Sequence, residues 1–115
     1  MSKEVYTKQE IKQLLEKGTP ILFLDVRDEA KFQTGSVESK FADTRNVPYV
    51  HMLAQGDKLL DEETERAVKE RQIITVCTTG NKAQKAAALL REHGYEAKAL
   101  LGGLTAWKDD EDEAK

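Results

Sequence analysis

The chain has 115 residues, enough for one hydrophobic core and too few for two independent ones. Hydrophobic residues make up 39% and charged residues 34%, which is too apolar for a disordered chain, and no apolar run is long enough to cross a bilayer. A net charge of −3 without a lysine-arginine stripe argues against a nucleic-acid binder, and the N-terminal MSKEVYTKQE lacks the apolar segment of a signal peptide, so a cytoplasmic protein is expected.

Short β-branched runs alternate with helical stretches, the pattern of βαβ units around a parallel sheet. EVYT (4–7) is a weak first strand. Thr7-Lys8-Gln9-Glu10 has capping-box spacing, and Ile11, Leu14 and Leu15 then give a helical apolar stripe that Gly18 and Pro20 stop. ILFLDV (21–26) is continuously apolar up to its aspartate, as in a strand buried on both faces. Asp28 to Phe32 reads as one helical turn ending at Gly35, and the stretch through Asn46, Val47 and Pro48 contains an edge strand. Asp61 is the expected N-cap of a helix that begins with acidic residues and runs through Ala67 and Val68 to about Arg71. IITVC (73–77) is a second buried strand. From Lys82 a helix follows, with Ala83, Ala86, Ala87 and Leu90 on one face and Gly94 at its C-terminus. EAKALLGG (96–103) is a last strand and glycine turn, and LTAWK is a closing helix. Residues 1–108 are thus expected to form one domain, and the acidic segment 109–115 a disordered tail.

Cys77 is the only cysteine, so no intramolecular disulfide forms. With two histidines far apart, His51 and His93, no metal-ligand spacing exists either. Residues 78 to 81 would cross from the carboxyl end of a buried strand to a helix N-terminus, the place where open α/β sheets bind ligands. Successive amides and the helix dipole stabilise an anion there, and a thiol in that field gains thiolate character. Gly80 and Asn81 tolerate positive φ, Thr78 and Thr79 add hydroxyl donors, and Lys82 adds a charge at the rim. An isolated cysteine at a strand end is more often a packing residue. Here the conjunction of strand, thiol, hydroxyls, glycine, lysine and helix start favours a nucleophile.

In order along the chain, LDVRDEAKF (24–32), Gly35, NVP (46–48), VCTTGNKA (76–83), GY (94–95) and LGGLTAW (101–107) resemble the single-domain rhodaneses, a sulfurtransferase family. The resemblance implies a three-layer α/β fold with a central five-stranded parallel sheet flanked by helices. It implies that Cys77 takes sulfane sulfur as a persulfide and that residues 78 to 82 form the active-site loop. The expected donors are thiosulfate, glutathione persulfide or polysulfide. The expected acceptors are thiols such as glutathione, thioredoxin or a sulfur-carrier protein, with no metal or organic cofactor. Asp25 and Arg27 match the family's Asp-x-Arg and are expected to form a structural ion pair near the loop base. Gly102 and Gly103 match a glycine pair close to the loop, again in a structural role.

Two departures stand out. Lys82 replaces the commoner arginine, keeping the charge and losing the planar fork, which should weaken grip on an oxyanion such as thiosulfate. The family's Gly-His-Ile-Pro-Gly segment is here Gly35-Ser36-Val37-Glu38-Ser39, so an altered path is expected. The related cysteine phosphatases use Cys-x5-Arg around phosphate, whereas Lys82 and then Ala83 stand at the corresponding end of this loop. A phosphatase or arsenate reductase, and a binding module that has lost activity, are the weaker alternatives.

Overall fold

A computed structural model describes residues 4–54 and 58–108. Its elements in chain order are β1 (Val5–Tyr6), α1 (Lys8–Glu16), β2 (Ile21–Asp25), α2 (Glu29–Gln33), β3 (Asp43–Asn46), α3 (Tyr49–Ala54), α4 (Glu62–Val68), β4 (Gln72–Val76), α5 (Asn81–Glu92), β5 (Ala97–Leu100) and α6 (Gly103–Lys108). The tail expected over 109–115 lies outside the described residues.

All pairings are parallel, in the order β1-β5-β4-β2-β3. The expected five-stranded parallel sheet flanked by helices is therefore present, with β3 at one edge. Strand alternation divides the core in two. Leu22, Leu24, Val26, Ile73, Ala97 and Ala99 face one side, under Met52, Leu60, Val68 and the Ala83-Ala86-Ala87-Leu90 stripe of α5. Ile21, Phe23, Ile74, Val76 and Leu100 face the other, under Ile11, Leu15 and Leu104. Trp107 packs at the margin of that second side, its ring edge-on to Phe23 with centroids 5.6 Å apart. The alanines of α5 sit above Ala97 and Ala99, so small residues on both partners bring helix and sheet close.

Local signals account for most boundaries. The Thr7 hydroxyl accepts from the Glu10 amide at 3.1 Å, while the Glu10 carboxylate accepts from the Thr7 amide at 2.8 Å. Asp61 caps α4 through the Thr64 amide at 2.8 Å, and that bond holds the Asp61 carboxyl below its ordinary pKa. Several boundaries differ by a residue or more from the sequence reading. β4 ends at Val76, leaving Cys77 beyond the strand; α5 begins at Asn81; and α4 ends at Val68. Helix α3 was not expected. It starts where the Pro48 carbonyl accepts from the His51 and Met52 amides, and it buries Met52 completely. Proline preset for a first helical turn was its one local signal.

The chain runs outward from β2 to β3 and back across the sheet from β3 to β4, then outward again to β5 on the other side. Helices after β2 and β4 therefore diverge, opening a crevice between the carboxyl ends of those two strands. Asp25 and Val76 are register partners at this point.

Candidate active site

Cys77 is the first residue past β4 at the mouth of this crevice and is only 4% exposed. Its Sγ accepts two backbone hydrogen bonds, from the Gly80 amide at 3.0 Å and the Ala83 amide at 3.3 Å. Gly80 is the N-cap of α5 and offers no side chain to the first turn. Ala83 is the third helical residue, whose amide a Ser or Asp cap would ordinarily satisfy. The cysteine sulfur takes that role, so the thiol caps the helix that follows it. Two amide donors and the N-terminus of α5 thus converge on one sulfur atom.

The loop's conformation follows from its glycines and from α6. Gly80 has φ +105°, and a Cβ there would stand 3.2 Å from the Gly102 amide nitrogen. Behind the loop, the Leu104 amide donates to the Cys77 carbonyl at 2.8 Å. The Thr105 amide and hydroxyl both donate to the Thr78 carbonyl at 3.1 Å. With those carbonyls turned toward α6, the amides of Thr78, Thr79, Asn81 and Lys82 have no hydrogen-bond partner among the described residues. Gly103 makes the approach possible: a Cβ on it would lie 2.3 Å from the Cys77 carbonyl oxygen. Buried Thr75 adds a tether, its hydroxyl donating to the Ala83 carbonyl at 2.7 Å.

The loop faces a pocket of about 260 Å³ lined by Cys77, Thr78, Thr79, Asn81 and Lys82 on one side and Arg27, Asp28 and Lys31 on the other. Arg27 and fully buried Asp25 are ion-paired at 2.6 Å, and Asp25 also accepts from the Ser36 hydroxyl at 2.6 Å. Arg27 further donates to the Gly35 carbonyl. Asn46 then ties the Asp25 and Arg27 carbonyls together at 3.0 and 2.9 Å. Lys31 and Lys82 form no ion pair among the described residues, so the pocket carries an excess of positive charge.

Set against the sequence reading, residues 77, 78, 79, 81 and 82 line one pocket, with Gly80 turned inward beneath the sulfur. Two participants, Ala83 and Lys31, were missed, and Arg27 was expected only as the ion-pair partner of Asp25. Ala83 acts through its backbone amide, which no side-chain pattern reveals. Lys31 lies on α2, within the turn read from Asp28 to Phe32, and that placement close after Arg27 was its available signal. Arg27 reaches the pocket as well as Asp25. His51 is exposed on α3, and His93 ends α5 with Nδ1 3.1 Å from the Leu89 carbonyl. Among the described residues no cluster of metal-ligating side chains occurs, and no helix is long and apolar enough to cross a membrane. A larger cavity of about 410 Å³ beside α1 and Trp107 contains no thiol or imidazole.

The family model for the rhodanese-like domain matches residues 7–110. An adenylyltransferase and sulfurtransferase of Zea mays, MOCS3-2, is 36% identical over 107 residues, covering 92% of this chain and 21% of the relative. The chain thus spans about a fifth of that relative's length. The thiosulfate sulfurtransferase GlpE of Shewanella oneidensis is 28% identical over 90 residues, covering 77% of each chain. Among solved structures, the human single-domain sulfurtransferase TSTD1 superposes with a TM-score of 0.71 at 20% identity, covering 94% of this chain and 97% of the other.

Proposed function

The chain belongs to the rhodanese-like domain family, and on that premise we propose that it is a sulfurtransferase working by double displacement through a Cys77 persulfide. The observation that carries this reading is the double capping of Cys77 Sγ by the Gly80 and Ala83 amides at the base of a cationic pocket. In the first half-reaction the Cys77 thiolate attacks the outer sulfur of thiosulfate, a glutathione persulfide or a polysulfide. A new S–S bond forms to Sγ, and the donor's own S–S bond breaks with its electron pair leaving on the donor remnant. The added sulfur extends into the pocket, where the unpartnered amides of Thr78, Thr79, Asn81 and Lys82 and the Lys82 ammonium face its negative charge. In the second half-reaction a thiophilic acceptor takes that sulfur and returns the thiolate. Cyanide serves in vitro; a thiol such as glutathione, thioredoxin or a sulfur-carrier protein would serve in a reducing cytoplasm. The reaction needs no metal or organic cofactor, since sulfur carries the charge in every step.

A phosphatase reading is weaker, because the loop ends in Lys82 and offers no arginine fork of its own. The test is intact-protein mass spectrometry of wild type and Cys77→Ser after incubation with thiosulfate or glutathione persulfide, followed by cyanide or dithiothreitol. A one-sulfur gain on wild type alone, removed by the acceptor, is expected. No gain from either donor would overturn the reading and put a binding module first.

A further inference from the structure

The guanidinium of Arg27 has five N–H donors in one plane. Nε donates to Asp25 Oδ1 at 2.9 Å and to Oδ2 at 3.2 Å, and Nη2 donates to Asp25 Oδ2 and to the Gly35 carbonyl, both at 2.6 Å. Nη1 donates to nothing among the described residues. The side chain is only 9% exposed, yet among the described residues no fully buried side-chain nitrogen or oxygen lacks a partner. Arg27 lines the pocket that holds Cys77, and Nη1 is its one guanidinium nitrogen without a partner among the described residues. A guanidinium held rigidly on one edge by a carboxylate and a carbonyl has its other edge preorganised for an oxyanion.

We infer that Arg27 is a specificity-determining residue whose Nη1 binds an oxygen of an oxyanion-bearing sulfane donor, of which thiosulfate is the simplest. The inference rests on the sulfur-transfer reading above and deepens it. It supplies from the β2–α2 connection the planar donor that the loop lacks at Lys82. In the step, Cys77–S⁻ and ⁻S–SO₃⁻ give Cys77–S–S⁻ and SO₃²⁻. The bond from Sγ to the outer sulfur forms, the S–SO₃ bond breaks, and the electron pair leaves on sulfite with no proton moved. Charge on the sulfite oxygens grows as that bond breaks, so a donor fixed on the far wall helps both binding and departure.

Two measurements test it. Persulfide loading of Cys77 is followed in wild type and Arg27→Lys with thiosulfate and with the hydropersulfide of 2-mercaptoethanol, which carries no oxyanion. Lysine keeps a cation for Asp25 and removes Nη1. The expected result is a fall of about 10- to 100-fold in kcat/KM for thiosulfate, seen chiefly in KM, with the hydropersulfide affected less than about threefold. An equal loss with both donors, or none with either, overturns the inference. The second measurement uses wild type alone, with the side-chain ¹⁵N resonances of its arginines followed as inorganic sulfate is added. Saturable movement of the Arg27 guanidinium supports the inference, and its absence overturns it, whether or not Arg27→Lys folds. Failure of both donors to load wild type would instead sink the sulfur-transfer reading, leaving the sulfate titration to decide the anion site by itself.

Discussion

Replacing Gly103 by alanine perturbs the Cys77 loop without altering any side chain of the pocket. Gly103 has φ +62°, so any L side chain there incurs left-handed strain of about 1–2 kcal/mol. The added Cβ would also lie 2.3 Å from the Cys77 oxygen, 2.6 Å from the Thr78 oxygen and 2.7 Å from the Thr78 carbonyl carbon. All three are backbone atoms and cannot rotate away. Restoring an ordinary contact near 3.4 Å requires the loop and α6 to part by about 1.1 Å. That separation stretches the bonds from the Leu104 and Thr105 amides and the Thr105 hydroxyl, each contributing about 1 kcal/mol. The expected destabilisation is roughly 3–5 kcal/mol, a large share of a small domain's stability. On the proposed function, a shift of this size at Cys77 should also lower persulfide loading by about 100-fold. Gly94→Ala is the internal reference. Gly94 has φ +90° with nothing within 4 Å of a built Cβ, so only strain applies there. Urea unfolding of both variants, with loading rates on the fraction that folds, separates strain from collision. Equal stability loss in the two variants, or a Gly103→Ala protein that loads at the wild-type rate, would refute the role given to α6.

Thr75→Val removes the hydroxyl that ties the Ala83 carbonyl to the sheet while keeping shape, and should lower stability by about 1 kcal/mol in urea unfolding; an unchanged or raised midpoint would show the tether to be idle. Asp61→Ala should cost about 1 kcal/mol near neutral pH through loss of the α4 cap. The folded Asp61 carboxyl has a lowered pKa, so its contribution is complete above the ordinary aspartate value and is lost as pH falls through the lower folded value. The wild-type and Asp61→Ala stabilities should therefore converge in acid and differ most above pH ~5; a difference that persists at pH ~2 would contradict the capping account.

What the sequence determined lies in features that repeat over a few residues. The apolar runs of β2 and β4, the caps at Thr7 and Asp61 and the alanine stripe of α5 act within one turn or one strand, where composition and period suffice. A thiol directly after a buried strand and before a glycine-capped helix belongs to the same class, so Cys77 could be singled out from the chain alone. The tertiary structure decided which distant groups meet that thiol. Arg27, Asp28 and Lys31 share a pocket with Cys77 and the loop after it because the sheet reverses its order between β2 and β4, and nothing local encodes that reversal. The Ala83 amide reaches the sulfur, and the amides of α6 hold the Cys77 and Thr78 carbonyls, through backbone atoms common to every residue. Arg27 was legible as a partner of Asp25, two positions away, whereas its second edge became visible only once neighbouring elements had occupied the first.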